Sequence, residues 1–556
     1  MKHNIVLGIH IGHDRSAAII KDGKVIGNIA QERLDRIKHS RSNQLPFDAI
    51  DSLLKYHGIT IEEISCVGFS GDAMEASFVL ESVMSDFYNH YKCSIPIYAV
   101  SHHDSHAYAA FYSSNFSESL ILIADGGGDY INNLVESESL YVGSTNGIIP
   151  ISKRYQHPTI RRMGDESNYL LPFMPTVTRN HEISIARKYE QFTYLLGFGW
   201  GQAGKTMGLA SYGKSLVDFS DKNYNDLNFS LKYEDFLTDL YILQQLSGLK
   251  YHDYIKQNAA NIAQTVQEYT EKAIIGIIKG LVRRYKINHL CLGGGLFLNC
   301  LLNHKILENC DLDEIFILPA TGDDGQALGN AYYAYIKHFG TNSHFSVSLP
   351  YLGLSYNNED IEKTLQTWKL NYTYMADDEL AKTIVSSIAN NDIVAFHHGR
   401  SEIGPRALCH RSILANPTNP EMKDIINNRV KHREAFRPFA PVVTEEMELK
   451  IFNLKQTSPY MLFAPTVKEE YRDKLPAITH IDNTARVQSI SQRKDPFLHK
   501  ILMNANEILG VPVLLNTSFN VAGQPIVESP DDAIQTFLCN DIDALAIGNF
   551  WITKSA

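Results

Sequence analysis

Paired cysteines are missing from this chain of 556 residues. Its seven cysteines (66, 93, 291, 300, 310, 409 and 539) form no C-x-x-C motif. That excludes a zinc finger and a disulfide framework and leaves reduced thiols. No apolar run is long enough to cross a bilayer, and the first residues carry no signal-peptide pattern, so a cytoplasmic protein with no membrane partner is expected. Positive charge is in deficit, with a formal net charge of −11. Proteins that bind polyanions usually present a basic field, so nucleic acid is not an expected partner. Repeat arrays and low-complexity tracts are absent as well. What remains is ordinary for a globular protein, 44% hydrophobic and 20% charged, and the length predicts two or more domains.

The most informative stretch is Ser101-His-His-Asp-Ser-His-Ala-Tyr-Ala-Ala-Phe111. Ser101 suits a helix N-cap and the alanines favour helix. On that helix His102 and His106 stand one turn apart and point the same way, a spacing that can hold one metal ion, while His103 points elsewhere. The next segment is a buried strand ending in Asp125 and Gly126 to Gly128. Asp125 is a candidate carboxylate ligand, and Gly126 and Gly127 let backbone N–H groups approach an anion. Two histidines with two aspartates suit iron, zinc or manganese better than magnesium or calcium.

Around this stretch the pattern is alternately strand and glycine turn. Strands are expected at 4–11, 16–21 and from 25 onward, with Asp22-Gly23 as a hairpin turn and Gly12-His13-Asp14 in a loop. Residues 258–285 read as a long amphipathic helix. A strand then enters Gly293-Gly294-Gly295-Leu-Phe-Leu-Asn299, where three glycines suit close approach by a nucleotide. A further strand precedes Thr321-Gly-Asp323-Asp324, where an acid either caps a helix or completes the metal site. The run Gly199 to Thr206 satisfies G-x-x-x-x-G-K-[ST], but residues 184–196 before it read as helix, whereas a P-loop follows a buried strand. Lys205 is left to touch substrate or nucleotide from a loop.

A domain boundary is expected at 335–355, where Gly340-Thr-Asn-Ser and Pro350 break the pattern. Beyond it, residues 399–440 hold eight Lys/Arg (400, 406, 411, 423, 429, 431, 433, 437) and four Asp/Glu (402, 421, 424, 434), a balance of 8 − 4 = +4 in an acidic chain. Arginines such as Arg400 and Arg437, fixed beside Gly or Pro, match phosphate or carboxylate oxygens with forked donors, so a small anion is the expected ligand. Arg486, Asn516 and Ser518 add another cation and short polar groups near a strand end.

In these motifs the chain resembles the NodU/CmcH carbamoyltransferases, which include O-carbamoyltransferases of antibiotic and toxin pathways. The matching pieces run in order: His102-His-x-x-x-His106-Ala, Asp125-Gly-Gly, Gly204-Lys-Thr-Met-Gly-Leu-Ala-Ser-Tyr-Gly213, Gly293 to Asn299, Gly399-Arg-Ser-Glu-Ile-Gly-Pro-Arg-Ala-Leu408, Arg433-Glu-x-Phe-Arg-Pro-Phe-Ala-Pro441, Thr484-Ala-Arg-Val-Gln488 and Leu515-Asn-Thr-Ser-Phe-Asn520. Cys409 stands where the family's pattern has glycine.

The resemblance implies an α/β protein with two domains. Residues 1–345 would form an actin/hexokinase-type duplicated ATPase fold, like the tRNA threonylcarbamoyltransferases, with the nucleotide and a metal. Residues 346–556 would form a YrdC-like domain that makes carbamoyl-adenylate from ATP and carbamoyl phosphate. It places His102, His106, Asp125 and Asp323 on the metal, iron first, with Asp324 as the weaker fourth ligand. His13 and Lys38 fall at the transfer site, and Gly126, Gly127, Lys205, Gly293, Gly294, Gly295 and Asn299 near the nucleotide. Arg400, Arg406, Lys431, Arg437, Arg486, Asn516 and Ser518 would meet carbamoyl phosphate or the adenylate. The expected partner is a small hydroxylated acceptor from secondary metabolism, and the resemblance leaves room for a homodimer. Two alternatives stand beside it: a tRNA threonylcarbamoyl-type modification enzyme, and an actin-like ATPase that transfers nothing.

Overall fold

The computed structural model describes residues 3–71, 76–132, 134–156, 184–219, 233–340 and 345–554. The chain forms two compact units, one of residues 1–70, 82–98 and 323–556, the other of 71–81 and 99–322. No helix among the described residues is long and apolar enough to cross a membrane.

The first unit opens with the sheet the sequence foretells. β1 (Ile5–Ile11), β2 (Ser16–Lys21) and β3 (Lys24–Ala30) form an antiparallel meander, and β4 (Cys66–Gly71) and β5 (Ile97–Ala99) continue it beyond β1, in the order β3-β2-β1-β4-β5. The helix Gln326–Phe339 lies against this sheet. Glycine makes that closeness possible: a Cβ on Gly8 would stand 1.8 Å from the Ala327 carbonyl, and one on Gly68 2.1 Å from that of Asn330. Asn330 Nδ2 donates to Ile9 O (2.7 Å) and Ser70 Oγ (2.8 Å), which pins the helix and the residues leading into it.

The second unit repeats the plan. β6 (Glu118–Ala124), β8 (Leu134–Ser144) and β9 (Gly147–Gln156) are antiparallel, with the short β7 (Tyr130–Ile131) on β8. On the other side of β6 run β10 (His289–Gly293) and then β11 (Glu314–Ile317), both parallel. A three-stranded meander followed by two strands on its far side thus occurs twice, and this is the duplicated actin/hexokinase-type architecture. The expected helix at 258–285 spans Ala259–Tyr285 and buries Ile262, Val266, Tyr269, Ala273 and Ile277.

The third sheet belongs to the first unit. It joins β12 (Thr373–Tyr374), β13 (Val394–His397), β14 (Arg411–Ala415), β15 (Ala440–Thr444), β16 (Gln488–Ile490), β17 (Val513–Ser518), β18 (Ala544–Ile547) and β19 (Phe550–Thr553) in the order β12-β19-β18-β13-β14-β17-β15-β16. Its strands are apolar on both faces because helices cover both. Ala395, Ile413 and Leu515 meet Ile361, Leu365, Ile534 and Phe537 on one side. Val394, Phe396 and Leu514 meet Leu380, Ile384, Ile501 and Leu502 on the other.

The expected division at 345/346 falls inside the first unit, where three arginines tie residues 26–36 to the later chain. Arg33 donates to the carbonyls of Glu402 and Gly404, Arg36 to those of Pro525 and Ile526, and Arg400 to those of Ile26, Leu352 and Gly353. Part of the expected Gly340–Ser343 break lies outside the described residues.

A buried acid gives a test of this sheet's surroundings. Glu448, on the helix Glu445–Ile451, is fully buried and accepts from Ser458 N at 2.9 Å. Burial pushes its carboxyl up to about 7. Because the folded value is raised, its contribution is fully favourable below the unfolded carboxyl range and is lost as pH rises through about 7. Glu448→Gln is therefore expected to stabilise the protein by roughly 2 kcal/mol at pH 8 and to have no benefit at pH 4, read from urea unfolding at both.

Candidate metal and anion sites

The expected helix around the histidine pair is His102–Ser114. Its start is built differently from expectation. Ser101 occupies the N-cap without using its hydroxyl as a cap, and Asp129 Oδ2 instead accepts from His102 N at 3.0 Å. His102 and His106 are both buried, with ring centroids 5.1 Å apart. The His102 ring lies with Nδ1 3.2 Å from Gly71 O, an acceptor, which places the proton on Nδ1 and leaves the Nε2 lone pair outward. Nε2 faces Asp125 Oδ2 at 3.6 Å. His103 turns away to Ser139 Oγ (2.7 Å), as expected.

Asp125 Oδ1 accepts from Gly295 N at 2.7 Å, and Oδ2 is the oxygen that faces His102. One atom each from His102, His106 and Asp125 lies within 4.8 Å of the others. Two imidazoles and one carboxylate fit a divalent transition metal.

The glycine run lets two strand ends meet. Gly294 adopts φ +99°, and a Cβ there would sit 2.4 Å from Ala124 O. Its N–H donates to Thr321 O and that of Gly295 to Asp125. Gly294 and Gly295 thus bring the end of β10 onto the end of β6 and spend their N–H groups on protein. Asn299 caps the helix Cys300–Asn309 through Leu302 N (3.0 Å) and pairs its amide with Gln267. Gly126 faces open space, while a Cβ on Gly127 would meet Val135 at 2.9 Å. Lys205 is not on a loop: it lies on the helix Ala203–Ala210, its Nζ 5.6 Å from the Phe198 ring centroid. The segment before the G-x-x-x-x-G-K-T run is indeed helix, Ile185–Leu195.

In the first unit Asp323 opens the turn before the helix Gln326–Phe339. Gln326 Nε2 donates to its Oδ1 at 2.9 Å, and Oδ2 faces His13 Nε2 at 3.1 Å. His13 Nδ1 meets Asp14 Oδ2 at 3.0 Å, and Asp14 Oδ1 meets His39 Nδ1 at 2.8 Å. Lys38 pairs with Glu32 at 3.3 Å. Asp14, Glu32 and His39 form a second group of potential ligands that sequence reasoning missed, although Asp14 adjoins His13 and His39 adjoins Lys38.

The eight cations counted from 399 to 440 separate by role. Arg400 and the fully buried Arg411 donate to main-chain carbonyls, and Arg429 pairs with Asp541 and Asp543 at 2.6 Å. Arg400 thereby supports the chain at Ile26, Leu352 and Gly353. Lys431 is buried and donates to Ser518 O, Asn520 O (2.8 Å) and Asn520 Oδ1 (3.1 Å). Burial, then Arg433 and Arg437, hold its ammonium well below the usual lysine range. Burial, then Arg437 and Arg486, push Arg433 down to about 9. Arg437 is lowered by burial and has Glu434 at 3.8 Å. Lys431, Arg433, Arg437 and Arg486 thus crowd together with Glu434 as the acid among them. Arg433 lies in the same Arg-rich run as the expected ligands, but a count of charges does not rank its members.

Residues 76–332 match the family described as Carbamoyltransferase N-terminus, and residues 385–554 the Carbamoyltransferase C-terminus. Nodulation protein NolNO of Sinorhizobium fredii is 33% identical over 98% of this chain and 79% of its own length. The chain belongs to the carbamoyltransferase family. As a member of it, this carbamoyltransferase is also 26% identical to Nodulation protein U of Rhizobium tropici, over 93% of this chain and 91% of that protein. Full-length HypF, solved in a phosphate- and nucleotide-bound form, is 15% identical with a TM-score of 0.40, over 62% of this chain and 56% of its own.

Proposed function

We propose that this carbamoyltransferase is an ATP-dependent O-carbamoyltransferase that makes carbamoyl-adenylate from carbamoyl phosphate and passes the carbamoyl group to a hydroxyl of a small secondary-metabolite acceptor. The observation that carries the reading is the gathering of Lys431, Arg433, Arg437 and Arg486, with Lys431 buried against Ser518 and Asn520 and Arg437 3.8 Å from Glu434. Cations buried together at such cost call for an anion of high charge, and phosphate oxygens match their donors. Arg406, Asn516 and Ser518 complete this chamber in the reading, and residues 346–556 are its adenylate-forming part.

Transfer is placed in residues 1–345. There His102, His106 and Asp125 would hold a divalent metal, iron first and zinc or manganese next. Asp323 would be the fourth ligand, as the resemblance implies. A metal so held supplies Lewis acidity for the oxyanion that forms at the carbamoyl carbon. His13 would take the acceptor's proton, with Asp14 fixing its ring, and Lys38 would lie beside them. ATP would reach this part near Gly126. A cytoplasmic setting suits a protein that consumes ATP and carbamoyl phosphate.

The test is incubation with ATP, labelled carbamoyl phosphate and a panel of hydroxylated acceptors. ATP turnover that depends on carbamoyl phosphate, with label in the acceptor, is expected. ATP turnover indifferent to carbamoyl phosphate would favour an ATPase that transfers nothing, and label in tRNA the modification enzyme that the net charge of −11 argues against.

A further inference from the structure

His13 and Lys38 sit on separate loops, one between β1 and β2 and the other just after the short helix Glu32–Asp35. Main-chain bonds join the loops: Gly12 N donates to Ser42 O at 2.9 Å, Ser42 N to Gly12 O at 2.8 Å and Asp14 N to His39 O at 2.7 Å. Both loops turn through left-handed backbone, with φ +54° at Asp14, +62° at His39 and +30° at Ser40. Residues with a Cβ keep such angles only where the surroundings over-determine them.

Arg15 is what fixes them. Its carbonyl accepts from Gln31 N at 2.8 Å, which roots it beside β3. Its side chain is 11% exposed and crosses from the first loop to the second. Nε donates to Ser40 O (2.7 Å), Nη2 to Ser40 Oγ (2.8 Å) and Asp35 Oδ2 (3.4 Å), and Nη1 to Gln44 O (3.3 Å) and Leu45 O (3.4 Å). A guanidinium has five N–H donors, and these acceptors take them all. Asp35 completes the turn by accepting from Ile37 N at 2.9 Å and from Ser40 Oγ. Lys38 thus lies between the two residues, Asp35 and Ser40, that Arg15 holds.

We propose that Arg15 is a positioning residue for carbamoyl transfer, holding the loop of Lys38 in register with that of His13. This rests on the reading of His13 and Lys38 as the transfer site. With every donor directed at residues 35–45, the guanidinium has none left for an acceptor molecule, so its effect reaches the reaction only through the loops. Lysine keeps the charge beside Asp35, but a single ammonium cannot serve acceptors spread over Asp35, Ser40, Gln44 and Leu45. A shift of the reacting groups by about 1 Å is enough to slow a reaction about 100-fold.

Assay of the full chain with ATP, labelled carbamoyl phosphate and a panel of hydroxylated acceptors tests this. Arg15→Lys is expected to lower kcat for transfer about 100-fold, with KM for the acceptor within about twofold of wild type and adenylate formation from ATP and carbamoyl phosphate unchanged. A merely structural role would slow both half-reactions together, which overturns the proposal, as does a raised KM at unchanged kcat. Ser40→Ala removes one acceptor of the five and leaves the rest, so it decides the matter even where Arg15→Lys does not fold. It is expected to lower kcat about tenfold in the same selective way, and an unchanged kcat overturns the proposal. If His13→Ala and Lys38→Ala lose transfer while Arg15→Lys keeps it, the proposal alone falls. If those two variants transfer as wild type, or the wild type carbamoylates no acceptor, the transfer-site reading falls and takes the proposal with it.

Discussion

His106→Ala is expected to strip the metal from the protein and to slow carbamoyl transfer by at least about a thousandfold while the fold persists. His106 is buried one turn beyond His102, and its imidazole is one of the three groups gathered with Asp125. Removing it leaves a single imidazole beside the carboxylates, a poorer set for a divalent transition ion. The helix should tolerate the change. Alanine is the best helix former, and Ala107, Ala109 and Ala110 surround the position. Elemental analysis, thermal melting and product formation together decide the matter. Metal content equal to wild type would remove His106 from the site, and adenylate formation from ATP and carbamoyl phosphate should survive the substitution.

Arg433→Met is expected to move stability and activity in opposite directions. Arg433 stacks on Phe439 at 4.3 Å and donates to Pro438 O at 3.2 Å, but burial and two neighbouring arginines work against its charge. Methionine keeps much of the apolar contact and removes the repulsion. The apoprotein should therefore melt no lower than wild type at neutral pH. Its folded-state value is depressed to about 9, so the wild type binds fewer protons folded than unfolded above that pH and gains stability there, a gain the variant should lack. Carbamoyl phosphate-dependent ATP turnover should fall about 100-fold, because one charge-assisted contact to phosphate is gone. A variant with full turnover would place the anion elsewhere.

How legible these sites were depended on the range of the signal. The His102/His106 pair could be read because its spacing equals one helical turn, and the register of β1 to β3 because alternation and Asp22-Gly23 are local. The glycines at 293–295 announced a close approach but not of what: the neighbour is the end of β6, brought there by strands 165 or more residues away in sequence. Arg400 and Arg437 looked alike on the page, yet one serves carbonyls around 352–354 and the other the cation cluster, a difference made wholly by tertiary contacts. Cys409 was visible as a departure from the family's glycine, and the structure gives the reason glycine suits that place, a left-handed φ of +78°.

The clamps formed by Arg33, Arg36 and Arg400 bear on how this polypeptide can be taken apart. Each guanidinium serves two or more main-chain oxygens, a geometry that lysine's single ammonium does not reproduce. A gene split at 345/346 would part Arg33 and Arg36 from all four of their oxygens and Arg400 from that of Ile26, and would strip β3 of the strand-like contact between Val25 and Ser346. The first 70 residues and the C-terminal half therefore belong to one compact unit, and swapping that half between relatives would have to carry them along.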